Sequence, residues 1–385
     1  MKIAIVQRFL TDYRIPVLNT LLKTGNNSIT LFASDVKRMK TNKFHVDAGK
    51  CKFKFKPLFP LHLSLSLKNA DFILVFFPLL FFSLIKERPD VIITEGESNL
   101  PNNLVILLFS KIFRVPYIWW GCGSIKKSII SKLLRPIVWI GIKNASSIIA
   151  YNDYAFEYYS ATFKIAAKSI FIAYNSIDTD LVAKDIEKYK PMIPKKKKEL
   201  GIENKTVLVY VGDLSSRKKV DNALQAYNQI KSHNPNIAFI VVGNGTEADN
   251  LKSMVENNSI SDVFFVGKRV EDVSLYFLLG DIFISPGLGG LSIKHALAHG
   301  LVCIIAKDSG GSEEYVIKDG YNGFVVSKDN IIELKERIEI LLQDDSLRSQ
   351  MQKNVSSTVK EKYNIHTMIQ EIINSIRFAT ENGKL

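Results

Sequence analysis

The sequence predicts an α/β protein of two Rossmann-like domains, and three observations lead to that fold class. Short apolar strands alternate with helical segments through the first half of the 385-residue chain, as in a doubly wound parallel sheet. A polar stretch with two prolines and a lysine run then interrupts the pattern near residues 175–200, as an interdomain connection does. The same alternation begins again after it, and a chain of this length suits two domains better than one.

The first half is predicted to begin with the strand KIAIVQ, the helix YRIPVLNTLLK and the strand SITLFAS. PDVIITEG, VPYIWWGCG and ASSIIAYN are three further short apolar strands. The longest apolar block runs from Phe72 to Ile85 and contains Pro78. Because a membrane-spanning helix needs about 20 apolar residues, this shorter block is interpreted as a buried or interfacial helix.

The second half repeats the alternation with the strands KTVLVYVGDL, IAFIVVGNG, VFFVGK, IFISP, LVCIIAKD and NGFVV. Amphipathic helices are predicted at VDNALQAYNQIKSH, VSLYFLLGD and LSIKHALAHG, where Gly300 follows the helix as a C-cap. HTMIQEIINSIRFATEN is the terminal helix. Ligands of parallel sheets bind at the carboxyl ends of the strands, so the chemistry is sought in the loops after them.

Composition narrows the class of protein. Apolar residues make up 46% and charged residues 23% of the chain, which is typical of a globular protein with large cores. Three cysteines without a pairing pattern favour a reducing cytoplasm, and the strand-like N-terminus lacks the shape of a signal peptide. The six histidines show no metal-ligand spacing, so neither a metal nor another cofactor is expected.

Positive charge is concentrated in the first half. Residues 1–170 hold 24 Lys and Arg against 10 Asp and Glu, whereas residues 171–385 hold 27 against 28. Such asymmetry indicates an anionic partner, although a solvated basic surface is the plainer alternative. Two basic stretches interleaved with apolar residues favour an anionic membrane surface, and no nucleic-acid module is evident. The predicted membrane-facing residues are Lys52, Lys54, Lys126, Lys127, Lys132 and Arg135.

Three loops of the second half carry the candidate chemistry. VGDLSSRKKVD offers Arg217 and Lys218, and VGKRVED offers Lys268. SPGLGGLSIKHALAHG has three glycines before a helix that begins near Leu291. Glycines permit a backbone path closed to other residues and let N–H groups approach an anion, and a helix N-terminus attracts one. A diphosphate between this helix and Lys218 is the simplest ligand, and a plain turn with surface lysines is the alternative.

These motifs, in this order, resemble the nucleotide-sugar domain of GT-B glycosyltransferases, in particular the retaining family 4. ERPDVIITEG, VPYIWWGCG and AYNSIDTD resemble its acceptor domain and hinge, and DYRIPVLNTL is similar to bacterial polysaccharide members. The resemblance covers almost the whole chain. It implies two Rossmann-like domains facing a central cleft, with the terminal helix crossing back to the first. Residues 1–174 with 362–385 would form the acceptor and membrane-facing domain, and residues 175–361 the donor domain.

The resemblance also implies roles for individual residues. Lys218 would neutralise the donor diphosphate, and His295 would bond the ribose. Cys122 lies where many members have a histidine near the reacting centre. The base would be held near Lys268, and backbone amides of the glycine-rich loop would hold the phosphate and the sugar. The donor-binding set is Arg217, Lys218, Lys268, Arg269, Val270, Gly287, Leu288, Gly289, Gly290, Leu291, Ser292 and His295.

The sequence departs from the family pattern at four positions. Gly287 and His295 replace the two glutamates of a Glu-x7-Glu motif, Asp213 stands where an arginine is usual, and Cys122 replaces the histidine. Either a divergent subfamily recognises its donor differently or activity has been lost. The retained phosphate loop favours the first hypothesis, and Arg217 is a candidate replacement for the missing cation. His295 is open between a ribose ligand and a structural histidine.

An inverting reaction would need a carboxylate base from the first half. Asp12, Glu95 and Glu97 are the candidates. For each of them, a plain surface residue is at least as good an interpretation. The catalytic set is therefore Lys218, Cys122, Asp12 and Glu95, and the acceptor-binding set is Arg14 and Glu97.

The function expected from the resemblance is metal-independent, hexosyl-type transfer with retention. The donor is a nucleotide sugar, with UDP favoured over GDP, and the acceptor is a lipid-linked, lipopolysaccharide or capsule glycan of the cell envelope. The enzyme would be cytoplasmic and peripheral on the inner face of the membrane. The alternatives are a catalytically silent homologue acting as a partner subunit and a GT-B nucleotide-sugar epimerase.

Overall fold

The computed structural model describes residues 1–34, 47–67, 70–123, 129–307 and 315–382, with the backbone alone at 63–67, 70–73 and 129–133. The chain divides into two compact units, Met1–Asn175 with Ile365–Leu385 and Ser176–Asn364. The sequence placed these boundaries at 174/175 and 361/362. Each unit is built on a parallel sheet with helices, so the prediction of two Rossmann-like α/β domains is confirmed.

The first unit is a seven-stranded parallel sheet in the order β3-β2-β1-β6-β7-β8-β9, with a separate antiparallel hairpin β4–β5. Its strands are β1 Lys2–Val6, β2 Ser28–Ser34, β3 Lys54–Leu58, β4 Leu61–Leu67, β5 Ala70–Phe76, β6 Val91–Glu95, β7 Tyr117–Gly121, β8 Ser147–Ala150 and β9 Ile170–Ile172. Its helices are α1 Arg14–Lys23, α2 Leu80–Glu87, α3 Leu100–Phe113, α4 Ile129–Asn144 and α5 Asp153–Glu157.

Alternating side chains of β1 divide the first unit into two cores. Ile3 and Ile5 face a core shared with α1, whereas Ala4 and Val6 face a core shared with α2, α3 and α4. Successive residues of a strand point to opposite faces, so α1 lies on one face of the sheet and α2, α3 and α4 lie on the other. This separation decides which surface groups are neighbours.

The second unit begins with α6 Thr179–Tyr189 and α7 Ile193–Leu200, in the stretch that the sequence suggested as a plain connection. Its six-stranded parallel sheet has the order β12-β11-β10-β13-β14-β15. The strands are β10 Thr206–Val211, β11 Ile237–Val242, β12 Val263–Gly267, β13 Ile282–Ser285, β14 Val302–Ala306 and β15 Gly323–Val326. The remaining helices are α8 Val220–Lys231, α9 Ala248–Asn257, α10 Val273–Leu279, α11 Leu291–Ala298, α12 Ile331–Gln343 and α13 Asp345–Glu361.

The terminal helix α14, Ile365–Asn382, returns to the first unit as expected. Met368, Ile372 and Ile376 are buried in the same core as Ile3 and Ile5. The hydroxyl groups of Ser147 and Ser375 are 2.8 Å apart in that packing. An apolar stripe with a period near 3.6 residues is what such packing requires.

The interpretation of Phe72–Ile85 as one helix is wrong. The block holds the second half of β5 and most of α2, separated by Pro78. Proline has no N–H to donate and disfavours helical geometry at the residue before it, so one helix cannot run through Pro78, and α2 begins at Leu80. The apolar residues before it pair with β4 as a hairpin.

Candidate functional site

Two loops meet at the carboxyl edge of the second unit's sheet. One follows β10 and includes a short 3-10 turn, Ser216–Lys218; the other follows β13 and leads into α11. Because β10 and β13 are adjacent strands and the carboxyl ends of parallel strands share one edge, the two loops are neighbours. The sequence prediction that Lys218 faces the glycine-rich loop depends on this adjacency.

The Lys218 ammonium lies directly on the glycine-rich loop. Its Nζ donates to the carbonyl oxygens of Leu288 at 2.7 Å and Gly289 at 3.2 Å. The backbone of the same turn also contacts the loop, since the Leu288 N–H donates to the Arg217 carbonyl oxygen at 2.9 Å. A positive charge is thereby held beside the residues that open α11, namely Gly290, Leu291 and Ser292. A helix N-terminus and a cation at one point favour an anion.

Gly287 is required by the closeness of these two loops. A Cβ atom at this position would lie 2.5 Å from the Arg217 carbonyl oxygen and 2.6 Å from the carbonyl carbon and oxygen of Lys218. Real Cβ atoms do not approach backbone so closely, so no side chain fits without moving the loop. The absence of a glutamate at 287 therefore follows from direct backbone packing.

None of the three loop glycines is required by left-handed backbone. Gly287, Gly289 and Gly290 are not among the positive-φ residues of the described chain. Gly290, the N-cap of α11, is fully extended at φ −179°, a conformation open to any residue. A Cβ there would have only ordinary contact, 3.6 Å from Lys218 Nζ. Close approach at one position, rather than left-handed backbone, explains the glycine.

The neighbouring cations are directed elsewhere. Lys219 Nζ pairs with Asp329 Oδ1 at 3.3 Å, and the same carboxylate accepts from Asn222 Nδ2 at 3.1 Å. The Arg217 side chain and Asp213 are exposed. A role for Arg217 in compensating the missing arginine stays a prediction.

His295 is packed among aromatic rings on α11. Its ring stacks on Phe277 with centroids 6.0 Å apart, and His299 stacks on the same phenyl ring at 4.8 Å. Burial, with a smaller contribution from His299, lowers the pKa of His295 to about 4. The imidazole is therefore neutral near pH 7. Its role as a ribose ligand stays a prediction.

The residues predicted to hold the base follow β12. The Arg269 guanidinium is tied to Asp272, with Nε 2.9 Å from Oδ1 and a second contact to Oδ2, and it lies 5.3 Å from the Tyr276 ring. Val270 is 70% exposed, and Lys268 is also exposed. The structure thus leaves Val270 and Lys268 accessible and engages Arg269 locally.

A pocket of about 330 Å³ lies at the carboxyl ends of β10, β11 and β12, and sequence reasoning missed it. Leu214, Asn244 and Phe265 contribute to its wall, together with Lys252. The available signal was GNG, because Gly243 has φ 152° and faces the Gly212 carbonyl oxygen too closely for a Cβ. The pocket lies on the β11–β12 side of the Lys218 turn, one residue from Lys268 through its wall residue Gly267.

At the carboxyl edge of the first unit, the predicted charged residues are largely engaged. Glu95 accepts from Arg8 with both carboxylate oxygens, at 2.8 Å from the backbone N–H and 2.8 Å from Nη2. Arg14 is 2% exposed, and its guanidinium lies 3.8 Å from the Trp120 ring and donates to the Tyr151 hydroxyl. In this arrangement Arg14 orients two aromatic side chains instead of presenting a surface cation. Asp12 is exposed in the loop before α1.

Glu97 and Cys122 lie together after β6 and β7. The Tyr159 hydroxyl donates to Glu97 Oε1, and the backbone N–H of Cys122 also bonds to this carboxylate. Burial raises the pKa of Glu97. A Cβ at Gly121 would collide with the Tyr159 hydroxyl and the Glu97 carboxyl. The WGCG motif is therefore shaped around a buried acid, Glu97, whose carboxyl lies beside Cys122.

Of the six predicted membrane-facing residues, the three that the structure describes with side chains, Lys52, Lys54 and Arg135, do not all lie on one face of the sheet. The Lys52 backbone N–H bonds to Asn19 Oδ1 of α1, on the face of the sheet opposite α2–α4. Lys54 Nζ pairs with Glu87 of α2 at 3.2 Å, and Arg135 is exposed on α4. Lys126 and Lys127 lie outside the described residues, as does the side chain of Lys132.

The described part of the chain also bears on two general expectations. Among residues 1–34, 47–67, 70–123, 129–307 and 315–382, no group of three or more His, Cys, Asp or Glu could hold a metal ion. Over the same residues, no helix combines the length and apolar character needed to cross a bilayer.

Comparison with known proteins shows the fold and the proteins to which this chain is similar. Residues 192–358 match the family described as "Glycosyl transferases group 1". An uncharacterised glycosyltransferase of Methanocaldococcus jannaschii is 26% identical over 91% of this chain and 90% of its own length. The alpha-monoglucosyldiacylglycerol synthase of Acholeplasma laidlawii is 25% identical over 43% of this chain and 42% of its own. The crystal structure of Anabaena HepE in complex with UDP has a TM-score of 0.72 at 18% identity, covering 98% and 100% of the two chains.

Proposed function

We propose that this chain moves a hexose from a nucleoside diphosphate to a lipid-linked, lipopolysaccharide or capsule glycan. The GT-B fold and the match of residues 192–358 to the glycosyl transferases group 1 family support this proposal. The observation that carries the proposal is the Lys218 ammonium, held on the loop that opens α11. The other features support it by their position around that cation.

The mechanism follows from the leaving group. As the bond between the sugar and the diphosphate breaks, negative charge grows on the β-phosphate. Lys218 and the backbone amides at the start of α11 would stabilise that charge electrostatically. Because a cation and a helix terminus supply the positive charge, we propose that turnover needs no metal ion. Activity that survives EDTA would support this, and activity restored only by a divalent cation would oppose it.

The groups around Lys218 would give a donor site that carries less negative charge than the resemblance to family 4 implies. Gly287 contributes no carboxylate, and His295 is neutral near pH 7 because burial lowers its pKa to about 4. A neutral imidazole can still donate a hydrogen bond to a ribose hydroxyl or accept one from it. The accessible Val270 and the adjoining pocket are candidate contacts for the base.

The proposal also names a donor nucleotide and a class of acceptor. UDP is favoured because HepE has been solved with UDP and with UDP-glucose. A lipid-linked acceptor is favoured because the Acholeplasma relative is named as a glycolipid synthase and because the first half of this chain is strongly basic. We propose retention of the anomeric configuration and a peripheral position on the inner face of the cell membrane.

A catalytically silent partner subunit is the second candidate, because the close packing at Gly287 removes a carboxylate from the donor site. A nucleotide-sugar epimerase is a third, separable by product analysis with donor alone, since an epimerase needs no acceptor.

A thermal-shift panel of UDP, GDP, CDP, dTDP and ADP tests the donor site. A ligand at 100 times its Kd adds about 2.7 kcal/mol, which is several degrees of Tm in a domain of this size. We expect one diphosphate to stabilise the wild type and Lys218→Ala to lose that shift. Lys219→Ala is the matched control, because Lys219 is paired with Asp329, and should keep it. No shift with any diphosphate would favour the silent subunit.

A further inference from the structure

An exposed apolar face covers three neighbouring helices of the first unit. Helix α3 contacts α2 on one side and α4 on the other, and all three pack on the same face of the sheet. Large apolar side chains stand on their outer surfaces instead of in the core. They are Leu79, Phe82, Ile85, Leu104, Leu108, Ile112, Phe113, Trp139 and Ile140.

These side chains form one surface and are not scattered exceptions. Leu104, Leu108 and Ile112 are spaced four residues apart on α3, so they form a line along the helix; the latter two are each 56% exposed. The ring of Phe81 lies 6.1 Å from that of Phe82 and 6.2 Å from that of Phe113, which connects the α2 side chains to the line on α3. Contiguous apolar surface on a folded protein marks an interaction site.

Positive charge predominates around this face. Helices α3 and α4 contain no acidic residue. The one acid of α2, Glu87, is held by Lys54, Lys56 and Thr30, which lower its pKa to about 2. Among the side chains that the structure describes, the exposed cations on or directly after the three helices are Lys86, Arg88, Lys111, Arg114, Arg135 and Lys143.

We infer that this α2–α3–α4 face docks onto an anionic lipid surface. Aromatic and aliphatic side chains surrounded by Lys and Arg are what a helix face lying in the headgroup region presents. Long cationic side chains can keep their charge at the headgroups while their stems cover apolar surface. Trp139, 50% exposed and 6.0 Å from Lys143 Nζ, is suited to the interfacial position that tryptophan favours.

A second copy of the chain fits this face less well. A two-fold interface brings the same patch against itself, so these six cations would face their copies in the second chain, with no acid on α3 or α4 between them. Anionic headgroups instead complement all six. The inference rests on the proposed function in one respect: a lipid-linked acceptor would bring the enzyme to a membrane. Of the six residues that the sequence predicted to face the membrane, only Arg135 is among the cations named for this face.

Vesicle co-sedimentation of the full chain tests the inference. Wild-type protein is mixed with vesicles of phosphatidylglycerol and phosphatidylcholine, or of phosphatidylcholine alone. We expect the triple variant Phe82→Gln, Leu108→Gln, Trp139→Gln to partition about tenfold or more weakly onto the mixed vesicles. The control is Leu181→Gln with Ile332→Gln in the second unit, where the replaced side chains are similarly exposed; its binding should match the wild type.

A charge variant tests the lipid class separately. Lys111→Gln with Arg114→Gln should weaken binding to the anionic vesicles by about fivefold for each lost cation and leave phosphatidylcholine binding unchanged. Circular dichroism of every variant confirms that it is folded.

Three results would overturn the inference. They are unchanged pelleting of the folded triple variant, equal loss in the control, and a lipid-free wild-type dimer that the triple variant converts to monomer. The UDP thermal shift, measured on the same samples, keeps the two proposals apart. Vesicle binding without a shift would count against the donor site alone, and a shift without vesicle binding would count against the docking face alone.

Discussion

The two units share one architecture but use its edges differently. At the carboxyl edge of the second unit, two loops pack backbone to backbone and hold the Lys218 ammonium at a helix N-terminus. At the same edge of the first unit, charged groups are engaged with one another or buried, as in the pairs Arg8–Glu95 and Glu97–Tyr159. The excess positive charge of the first half lies instead in its basic stretches and on its helices. The second unit thus places a cation and a helix N-terminus together at its sheet edge, where we propose that the diphosphate binds, and the first presents cations on its helices.

The largest effect is expected where the second unit's loops touch. Gly287→Glu places a side chain against the backbone of Arg217 and Lys218 and buries a carboxylate beside it. We expect the second unit to lose about 4 kcal/mol of stability, measured by chemical denaturation followed by far-ultraviolet circular dichroism. Gly290→Ala is the matched control, since its Cβ makes only ordinary contact, and it should change stability by about 1 kcal/mol or less. Equal stability of the two variants would show that the loops are not in contact.

An effect of intermediate size is expected in how the stability of the second unit depends on pH. Burial lowers the pKa of His295 to about 4 from 6.5, so between these values the unfolded chain binds more protons than the folded one. The second unit should therefore lose stability as pH falls from 6.5 to 4, by up to about 1.4 kcal/mol per pH unit. Comparing the wild type with His295→Gln checks this, because the variant should show a flatter profile. Parallel profiles would mean that the imidazole is solvated in the folded state.

The smallest effect is expected in the first unit, where the contribution of Glu97 to stability changes with pH in the direction opposite to that of His295. Burial raises the pKa of Glu97, so above pH 4.5 the folded carboxyl keeps a proton that the unfolded chain releases. This contribution to stability is lost as pH rises, and Glu97→Gln, which stays neutral, should gain stability relative to the wild type as pH rises above 4.5. All three tryptophans lie in the first unit, at positions 119, 120 and 139, so their fluorescence follows its unfolding. A variant that becomes relatively less stable over this range would contradict the buried, protonated acid.

Local sequence patterns predicted most of the parallel strands and the terminal helix, because buried strands are short apolar runs and α14 carries a strong apolar stripe. The same reasoning failed for Phe72–Ile85, where composition alone did not show that Pro78 divides a hairpin strand from a helix. It also read residues 175–200 as a connection, although α6 and α7 lie there.

The candidate site was predictable where it depends on strand order, and less so where it depends on distant contacts. Lys218 and the loop from Leu288 come together because β10 and β13 are adjacent. The contact between Glu97 and Tyr159 joins residues 62 positions apart, and no periodicity indicates it. The need for glycine at 287 likewise comes from a backbone 70 residues away in the chain, which only the three-dimensional structure shows.

The packing at Gly287 also makes a carboxylate at that position hard to acquire in evolution. A codon change that introduces glutamate acts on a loop already closed against residues 217 and 218, so it would be harmful unless that turn had first moved away. The order of substitutions is therefore constrained, and intermediates with the glutamate alone would be selected against. Descendants of this chain are expected to vary around the glycine and to leave it in place.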